Sequence, residues 1–177
     1  MEEWNLSLWS EVVKAFLGYA YACSGRPAEG IALMEPVLSG FTGGQAFRAI
    51  LMIRLAEAHL VQNDAGRARE IAAAGVKVAA ASGQHGYEAW GRWLLAQVEL
   101  ASAAPDLDRA ERHCRDALDR ASELGMRPLV AYGNVTLGQV EAARGRSSHA
   151  REHFATASRL AREMAMRFPS GVVAGSG

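Results

Sequence analysis

A leucine followed by glycine or alanine recurs along this chain at intervals close to 40 residues. The four copies are Leu17-Gly18, Leu55-Ala56, Leu95-Ala96 and Leu137-Gly138, separated by 38, 40 and 42 residues. The last copy continues into the longest motif, L-G-x6-G-x4-A-x3-F-x2-A, which ends at Ala157. Self-similarity at a period of roughly 20–50 residues is typical of proteins built from stacked supersecondary units. The period therefore favours a repeat array over one compact core.

Helical periodicity dominates between the turn signals, and no segment alternates as a strand does. The pattern predicts an all-α chain of about eight helices, paired into hairpins over residues 8–40, 44–82, 85–124 and 127–167. The small residue after each leucine lets the paired helix approach closely, and a glycine then turns the chain. Each hairpin buries only part of its apolar stripe, so we expect residues 1–167 to stack as a single array. Residues 168–177 are expected to form a flexible tail.

Charge and composition exclude several classes of function. The chain has 19 basic and 19 acidic residues, and they are interleaved, which predicts no nucleic-acid or anionic membrane partner. No uncharged apolar run is long enough to span a bilayer. Cys23 and Cys114 are isolated in helical patterns, and the N-terminus lacks the features of a signal peptide, so a reducing cytoplasm is expected. Trp4 and Trp9 precede the first clear repeat, where they would cap the array or pack against upstream chain.

The repeat motif resembles the tetratricopeptide repeat (TPR), in a variant with longer helices than the usual 34-residue unit. The segments "ELGMRPLVAY", "LGQVEAARGR" and "HAREHFATASRLAREMAMRF" are similar to the C-terminal TPR region of large bacterial proteins. Those proteins join a class III adenylate/guanylate cyclase domain to an AAA-type ATPase and then to TPRs. The chain is also similar to TPR arrays of large LuxR-type regulators. The resemblance implies a right-handed α-solenoid. The sequence has no Walker A motif and no cyclase domain, so neither catalytic activity is carried over, and no catalytic residue or cofactor is expected. The chain is expected to be a fragment of a longer protein, although a short stand-alone protein would have the same sequence features.

In TPR arrays, certain positions of each first helix line a concave groove that holds a partner segment. Carried onto this chain, they predict a groove formed by Tyr19, Ile53, Glu57, Trp90, Trp93, Gln97, Tyr132 and Gln139. The aromatic members would form a floor for a peptide or an amphipathic helix, or for a neighbouring cyclase or ATPase domain. The alternative is that Trp90 and Trp93 pack between repeats. A second hypothesis is a small-ligand sensor, as in the LuxR-type regulators, with its pocket at these tryptophans.

The end of the array suggests self-association. The last helix lacks a solvating cap, so Phe154, Leu160 and Met164 are expected to lie partly exposed and to favour a homodimer.

The sequence "HAREH" matches H-x-x-E-H, the zinc-binding signature of inverted zincin peptidases. His149 and His153 would bind the metal, and Glu152 would activate a water molecule. Helical geometry argues against a zinc site, because Ala150 and Phe154 define the buried stripe of the helix and both histidines lie beside that stripe. The nearest downstream carboxylate, Glu163, lies on the same helix, roughly 15 Å away along the axis. We therefore expect exposed histidines, a buried Ala150 and Phe154, and no metal site.

Overall fold

The computed structural model describes the backbone of residues 2–168 and the side chains of residues 10–168. Within these residues the chain is all-α, as predicted, with eight helices and no strand. The helices are α1 (Glu2–Cys23), α2 (Pro27–Gly40), α3 (Gln45–Val61), α4 (Ala65–Ala81), α5 (His85–Ala101), α6 (Leu107–Glu123), α7 (Arg127–Ala143) and α8 (Ser147–Glu163). The expectations for the side chains of Trp4 and Trp9, and for the tail after Phe168, fall outside the described residues.

Consecutive helices pair into four hairpins, α1–α2, α3–α4, α5–α6 and α7–α8. In the described part of the chain, every helix–helix contact lies within a hairpin or between one hairpin and the next. The molecule is therefore a linear array, in which each unit completes the core of its neighbour. None of the described helices combines the length and apolar character needed to cross a bilayer.

The turns have a common local cause. In the first hairpin, Gly25 has a φ of 85°, and the amide of Arg26 donates to the carbonyl of Tyr21 at 2.9 Å. This is the arrangement that ends a helix with a left-handed residue, which glycine adopts without strain. The turn after α3 has the same arrangement with Asn63, at a φ of 65°. The helix that follows begins at an N-cap, where the Asp64 carboxylate accepts from the amide of Arg67 at 2.9 Å.

The repeated dipeptide has the expected role in packing at most copies. A Cβ on Gly138 would stand 2.5 Å from the ring of Phe154, so this ring packs into the space left by the missing side chain. Leu55, Leu95 and Leu137 are buried at 2, 6 and 3% exposure. The first copy differs, because Leu17 is 46% exposed. Its position on α1 faces away from α2 and α3, where the described chain has no further helix.

Candidate interaction groove

The first helices of the hairpins lie on the inner side of the array. Helices α1, α3, α5 and α7 contact one another in turn, whereas α2, α4, α6 and α8 make no such contacts within the described residues. Because the first helices are closer together than the second helices, the array curves toward the first helices. Their outward-facing side chains line a concave face, which we call the groove.

Four aromatic rings form a continuous row in this groove. The ring centroids of Trp90 and Trp93 are 5.3 Å apart, and Tyr132 lies 5.9 Å from Trp90 and 5.5 Å from Trp93. Phe168, which follows α8, packs edge-on against Tyr132 at 5.4 Å. All four rings are partly exposed. We call Trp90, Trp93, Tyr132 and Phe168 the aromatic row.

Polar side chains fix the N-terminal edge of the row. The Glu57 carboxylate accepts from the Trp90 indole N–H at 2.8 Å and from the Arg54 guanidinium at 2.7 Å. Arg54 also donates to the Tyr19 hydroxyl at 3.1 Å and lies 4.7 Å above the Tyr19 ring. Burial, followed by the charge of Glu57, raises the pKa of Tyr19 above its usual range. The first three hairpins are thus joined across the groove by one hydrogen-bonded chain.

The C-terminal side of the row is held in the same way. Thr136, buried on α7, accepts from the Trp93 indole N–H at 2.9 Å and from the Gln97 amide at 2.7 Å. The sequence left open whether Trp90 and Trp93 line the groove or pack between repeats. Both tryptophans do both, because they bond neighbouring hairpins together and still expose part of their rings. Gln139 is partly exposed further along α7.

Ile53 does not line the groove, contrary to the sequence prediction. Its side chain is 1% exposed and packs against Gly75 of α4 and Gly91 of α5, within the largest hydrophobic cluster of the described residues. Successive helix positions differ by about 100°, and on α3 the next residue, Arg54, turns toward the groove instead. The roles of Arg54, Thr136 and Phe168 were missed, because they depend on contacts between distant segments.

A cleft adjoins the row at the hairpin turns. It has a volume of about 510 Å³ and is lined by the 83–87 segment together with Arg54, Trp90, Leu124 and Met126. The Leu124 side chain is 47% exposed at its rim. Of the two tryptophans in the row, Trp90 also lines the cleft, whereas Trp93 does not.

Two buried carboxylates lie on α5, and one of them, Glu99, bonds to the neighbouring hairpin, whereas Glu88 bonds within its own helix. Glu99 is 2% exposed and accepts two hydrogen bonds from Arg69 of the preceding hairpin, at 3.0 and 2.9 Å. Glu88 is equally buried and accepts from Arg92 at 3.0 and 3.2 Å. Burial works to raise the pKa of Glu88, but hydrogen bonds from Arg92 and His85 outweigh it and hold the pKa below its usual value.

The "HAREH" segment forms the start of α8. His149 is exposed and Ala150 is buried, as expected. His153 is only partly exposed, so the expectation of full exposure was wrong. Phe154 is also partly exposed, which contradicts its expected burial but confirms the partial exposure expected of Phe154, Leu160 and Met164 at the end of the array. His153 packs against α7, with its Nδ1 3.1 Å from Asn134 Oδ1. Phe154 packs over Gly138, and α7 is the only described helix that α8 contacts.

No metal-ligating cluster is present among the described residues. No group of three or more His, Cys, Asp or Glu side chains converges there. Glu163, the only downstream carboxylate on α8, is paired instead with Arg127 at 2.5 Å and with Arg159 at 2.7 Å. The candidate site is therefore the groove rather than α8.

The fold and the groove together define an all-α array of helical hairpins with an aromatic concave face. No protein-family model matches the chain, and no curated protein matches its sequence significantly. Assignment to the TPR proteins, and to the cyclase-associated group among them, stays a prediction from the sequence motifs.

Proposed function

We propose that this chain is a non-catalytic interaction module that binds a segment of a partner protein along its groove. The observation that carries the proposal is the aromatic row, in which Trp90, Trp93 and Tyr132 contact one another, Phe168 contacts Tyr132, and all four rings are partly exposed on the concave face. Tryptophan and tyrosine anchors in such positions supply most of the binding energy at protein interfaces. Concave faces of repeat arrays are extended enough to follow several turns of a helix or an extended peptide.

Preorganisation supports the same proposal. The indole N–H groups of Trp90 and Trp93 are already bonded to Glu57 and Thr136, so the rings are fixed before a partner arrives. A side chain that is ordered in the free protein loses little further entropy on binding. Because their polar atoms are engaged, these rings offer a partner mainly apolar surface.

The partner's chemistry follows from this surface. The partner segment should present an aromatic or aliphatic side chain that packs on the row. The packing of Phe168 against Tyr132 is an intramolecular example of such an anchor, since Phe168 follows α8 and lies outside the hairpins. Close to Trp90, Arg54 and Glu57 neutralise each other at 2.7 Å, so a strongly charged ligand is not favoured.

Peptide selection tests this proposal. Short peptides would be selected from a random displayed library on the 177-residue chain, and their affinities measured by fluorescence polarisation. We expect peptides with apolar anchors, and a loss of about 30-fold in affinity for Tyr132→Ala, corresponding to a hot spot of about 2 kcal/mol. Tyr87→Ala is the matched control, because Tyr87 lines the cleft and not the row. Selected peptides that bind both variants equally well would contradict the proposal.

The cleft supports a second candidate function, a small-ligand sensor. Its volume of about 510 Å³ lies within the usual range for small-molecule sites, and its walls combine apolar side chains with Arg54. A thermal-shift screen of metabolites tests it. A ligand-induced shift that is lost in Met126→Arg but kept in Tyr132→Ala would favour the sensor over the peptide-binding module.

The motifs also support a proposal about context. We propose that the array acts in the cytoplasm as the regulatory C-terminal TPR region of a cyclase–ATPase signalling protein, where the groove would bind a segment of a neighbouring domain. Co-purification of the array with separately expressed cyclase and ATPase domains of the parent protein tests this. The aromatic-row variant Tyr132→Ala should weaken the association by about 30-fold, as expected for the selected peptides.

A further inference from the structure

Phe168 covers the C-terminal end of the aromatic row from within the same chain. Its ring packs edge-on against Tyr132, with the centroids 5.4 Å apart and the ring planes at 77°. Tyr132 also contacts both tryptophans of the row, at 5.9 Å from Trp90 and 5.5 Å from Trp93. Part of the surface that Tyr132 would offer to a partner is therefore already occupied by Phe168.

A turn of the kind that ends the earlier helices brings Phe168 to this place. Ala165 has a φ of 51°, and the amide of Met166 donates to the carbonyl of Ala161 at 2.9 Å. The turn after α6 has an equivalent hydrogen bond, with Gly125 at a φ of 66°. In both cases the chain returns to the groove side of the array, where α7 follows the earlier turn and Phe168 follows the later one.

The turn at Ala165 is strained, unlike the others. The remaining residues at positive φ in the described chain are four glycines and Asn63. Glycine adopts this conformation freely and asparagine tolerates it, whereas the Cβ of alanine comes too close to the following carbonyl oxygen. The strain at Ala165 therefore opposes the contact that this turn makes possible, the one between Phe168 and Tyr132.

The residues that lead to Phe168 are lightly packed. Met164 and Met166 are partly exposed, and Ala165 and Arg167 are exposed. Release of Phe168 would uncover Tyr132 and relieve the strain at Ala165 without removing any buried side chain from the core. A covered and an uncovered state are therefore balanced closely enough for a ligand that binds only one of them to shift the population.

We propose that Phe168 is an intramolecular competitor, which an apolar side chain of the partner displaces from Tyr132. This inference rests on the proposed function of the groove and adds its regulation. Only the uncovered fraction of the protein can bind, so the apparent dissociation constant of a partner rises as Phe168 reduces that fraction. Because the occupant is a phenyl ring, the side chain that replaces it is aromatic or a large aliphatic one.

Two substitutions with opposite expected signs test this inference. Peptides are selected in parallel on the 177-residue chain and on Phe168→Ala, and their affinities for both are measured by fluorescence polarisation. Phe168→Ala should bind them about 5-fold more tightly than the wild type, since one aromatic pair holds the covered state. Ala165→Gly relieves the strain in the covered state and should bind them about 4-fold more weakly.

Two matched controls lie away from the row. Phe47→Ala removes a ring that packs against Phe41 at 6.4 Å, and Asn63→Gly changes the other non-glycine residue at positive φ among those described. Neither control should change the peptide affinity. In a Tyr132→Ala background, Phe168→Ala should have no effect, because the ring that it uncovers is gone, and this double-mutant cycle separates displacement from general loosening.

Nuclear magnetic resonance follows the displacement directly. A nuclear Overhauser effect between the Phe168 and Tyr132 rings should be present in the free chain and should disappear when a selected peptide saturates it. Its persistence in the saturated complex would overturn the proposal.

The affinities also distinguish this proposal from the binding function of the groove. Equal affinities of the wild type and Phe168→Ala would overturn the competitor role and leave the groove as a binding site. Weaker binding by Phe168→Ala would overturn it as well, by making Phe168 part of the surface that holds the partner. Failure to select any peptide on either chain would refute the binding function, and with it the regulation.

Discussion

The carbonyl oxygen of Gly18 on α1 occupies the place where a side chain on Gly30 of α2 would begin. A Cβ on Gly30 would stand 2.3 Å from that oxygen and 3.0 Å from the backbone nitrogen of Ala22. Both are backbone atoms and cannot rotate away, so in Gly30→Ala the two helices would have to separate by about 1 Å to restore normal contact distances. Overpacking costs about 1–3 kcal/mol, and a clash with backbone belongs near the upper end of that range.

Helix propensity acts in the opposite direction. Alanine is favoured over glycine by about 1 kcal/mol inside a helix, so the net effect of Gly30→Ala is a loss of about 2 kcal/mol. Gly66, in the first turn of α4, provides the control, because a Cβ there would meet only the Asp64 Oδ1 atom at 3.6 Å. Gly66→Ala should stabilise the chain by a few tenths and at most about 1 kcal/mol.

Urea unfolding followed by circular dichroism measures both variants. The two substitutions are chemically identical, and the reasoning requires opposite signs: a lower free energy of unfolding for Gly30→Ala and an equal or higher one for Gly66→Ala. If Gly30→Ala proves as stable as the wild type, α1 and α2 do not approach as closely as described. The role assigned to the small residues of the repeat would then fail as well.

Three further predictions concern buried ionisable groups. Arg69→Ala should lower the free energy of unfolding by about 2 kcal/mol, because the Glu99 carboxylate stays buried without its main partner. This loss is smaller than the roughly 3–5 kcal/mol expected for a fully buried ion pair, because about a third of the Arg69 side chain is exposed to water. Because the pKa of Glu88 is lower in the folded state, its charge contributes stability above the unfolded pKa of about 4.3, and this contribution is lost as the pH falls through the folded pKa. In Glu88→Gln, the free energy of unfolding measured in urea should therefore decrease less steeply as the pH is lowered. Burial raises the pKa of the Cys114 thiol to about 12, so a thiol reagent at about pH 8 should label exposed Cys23 rapidly and Cys114 only on unfolding.

Exposed residues supply the controls for these predictions. Arg67 pairs with Glu70 at 2.7 Å, but both side chains are largely in water, so Arg67→Ala should change stability by less than about 1 kcal/mol. Glu70→Gln is the matched control for the acid series. Equal losses in Arg69→Ala and Arg67→Ala would mean that burial of the Glu99 carboxylate has no energetic consequence. Labelling of Cys114 at the rate of Cys23 in folded protein would contradict its burial.

Features set by neighbouring residues were predictable from the sequence. The hairpin turns depend on one left-handed residue, such as Gly25, and on a cap such as Asp64, both of which act within a few positions. The helix count and the role of Gly138 followed from the repeat period. Leu17 shows the limit of this reasoning. Its position matches three buried leucines, but burial requires a helix on that side, and the described chain has none.

The groove was predictable as a location but not in its composition. The register placed Trp90, Trp93 and Tyr132 together, because equivalent positions of stacked helices lie side by side. It failed for Ile53, which packs into the space beside Gly75 and Gly91, as the equivalent Ala15 and Val135 are also buried. On α3 the side chain that faces the groove is Arg54, about 100° further round the helix. No periodic pattern includes Phe168, which reaches Tyr132 only through the path of the chain after α8.

The groove and the stacking of the hairpins depend on the same side chains. The Trp90 indole bonds to Glu57 of the second hairpin, and the Trp93 indole bonds to Thr136 of the fourth. In a linear array, stability is the sum of the units and of the interfaces between them. A segment that packs on these indoles would therefore strengthen two interfaces at once and couple three hairpins into one stiffer body. Binding in the proposed groove would thus change the mechanics of the whole array, and a neighbouring domain could sense that change without touching the ligand.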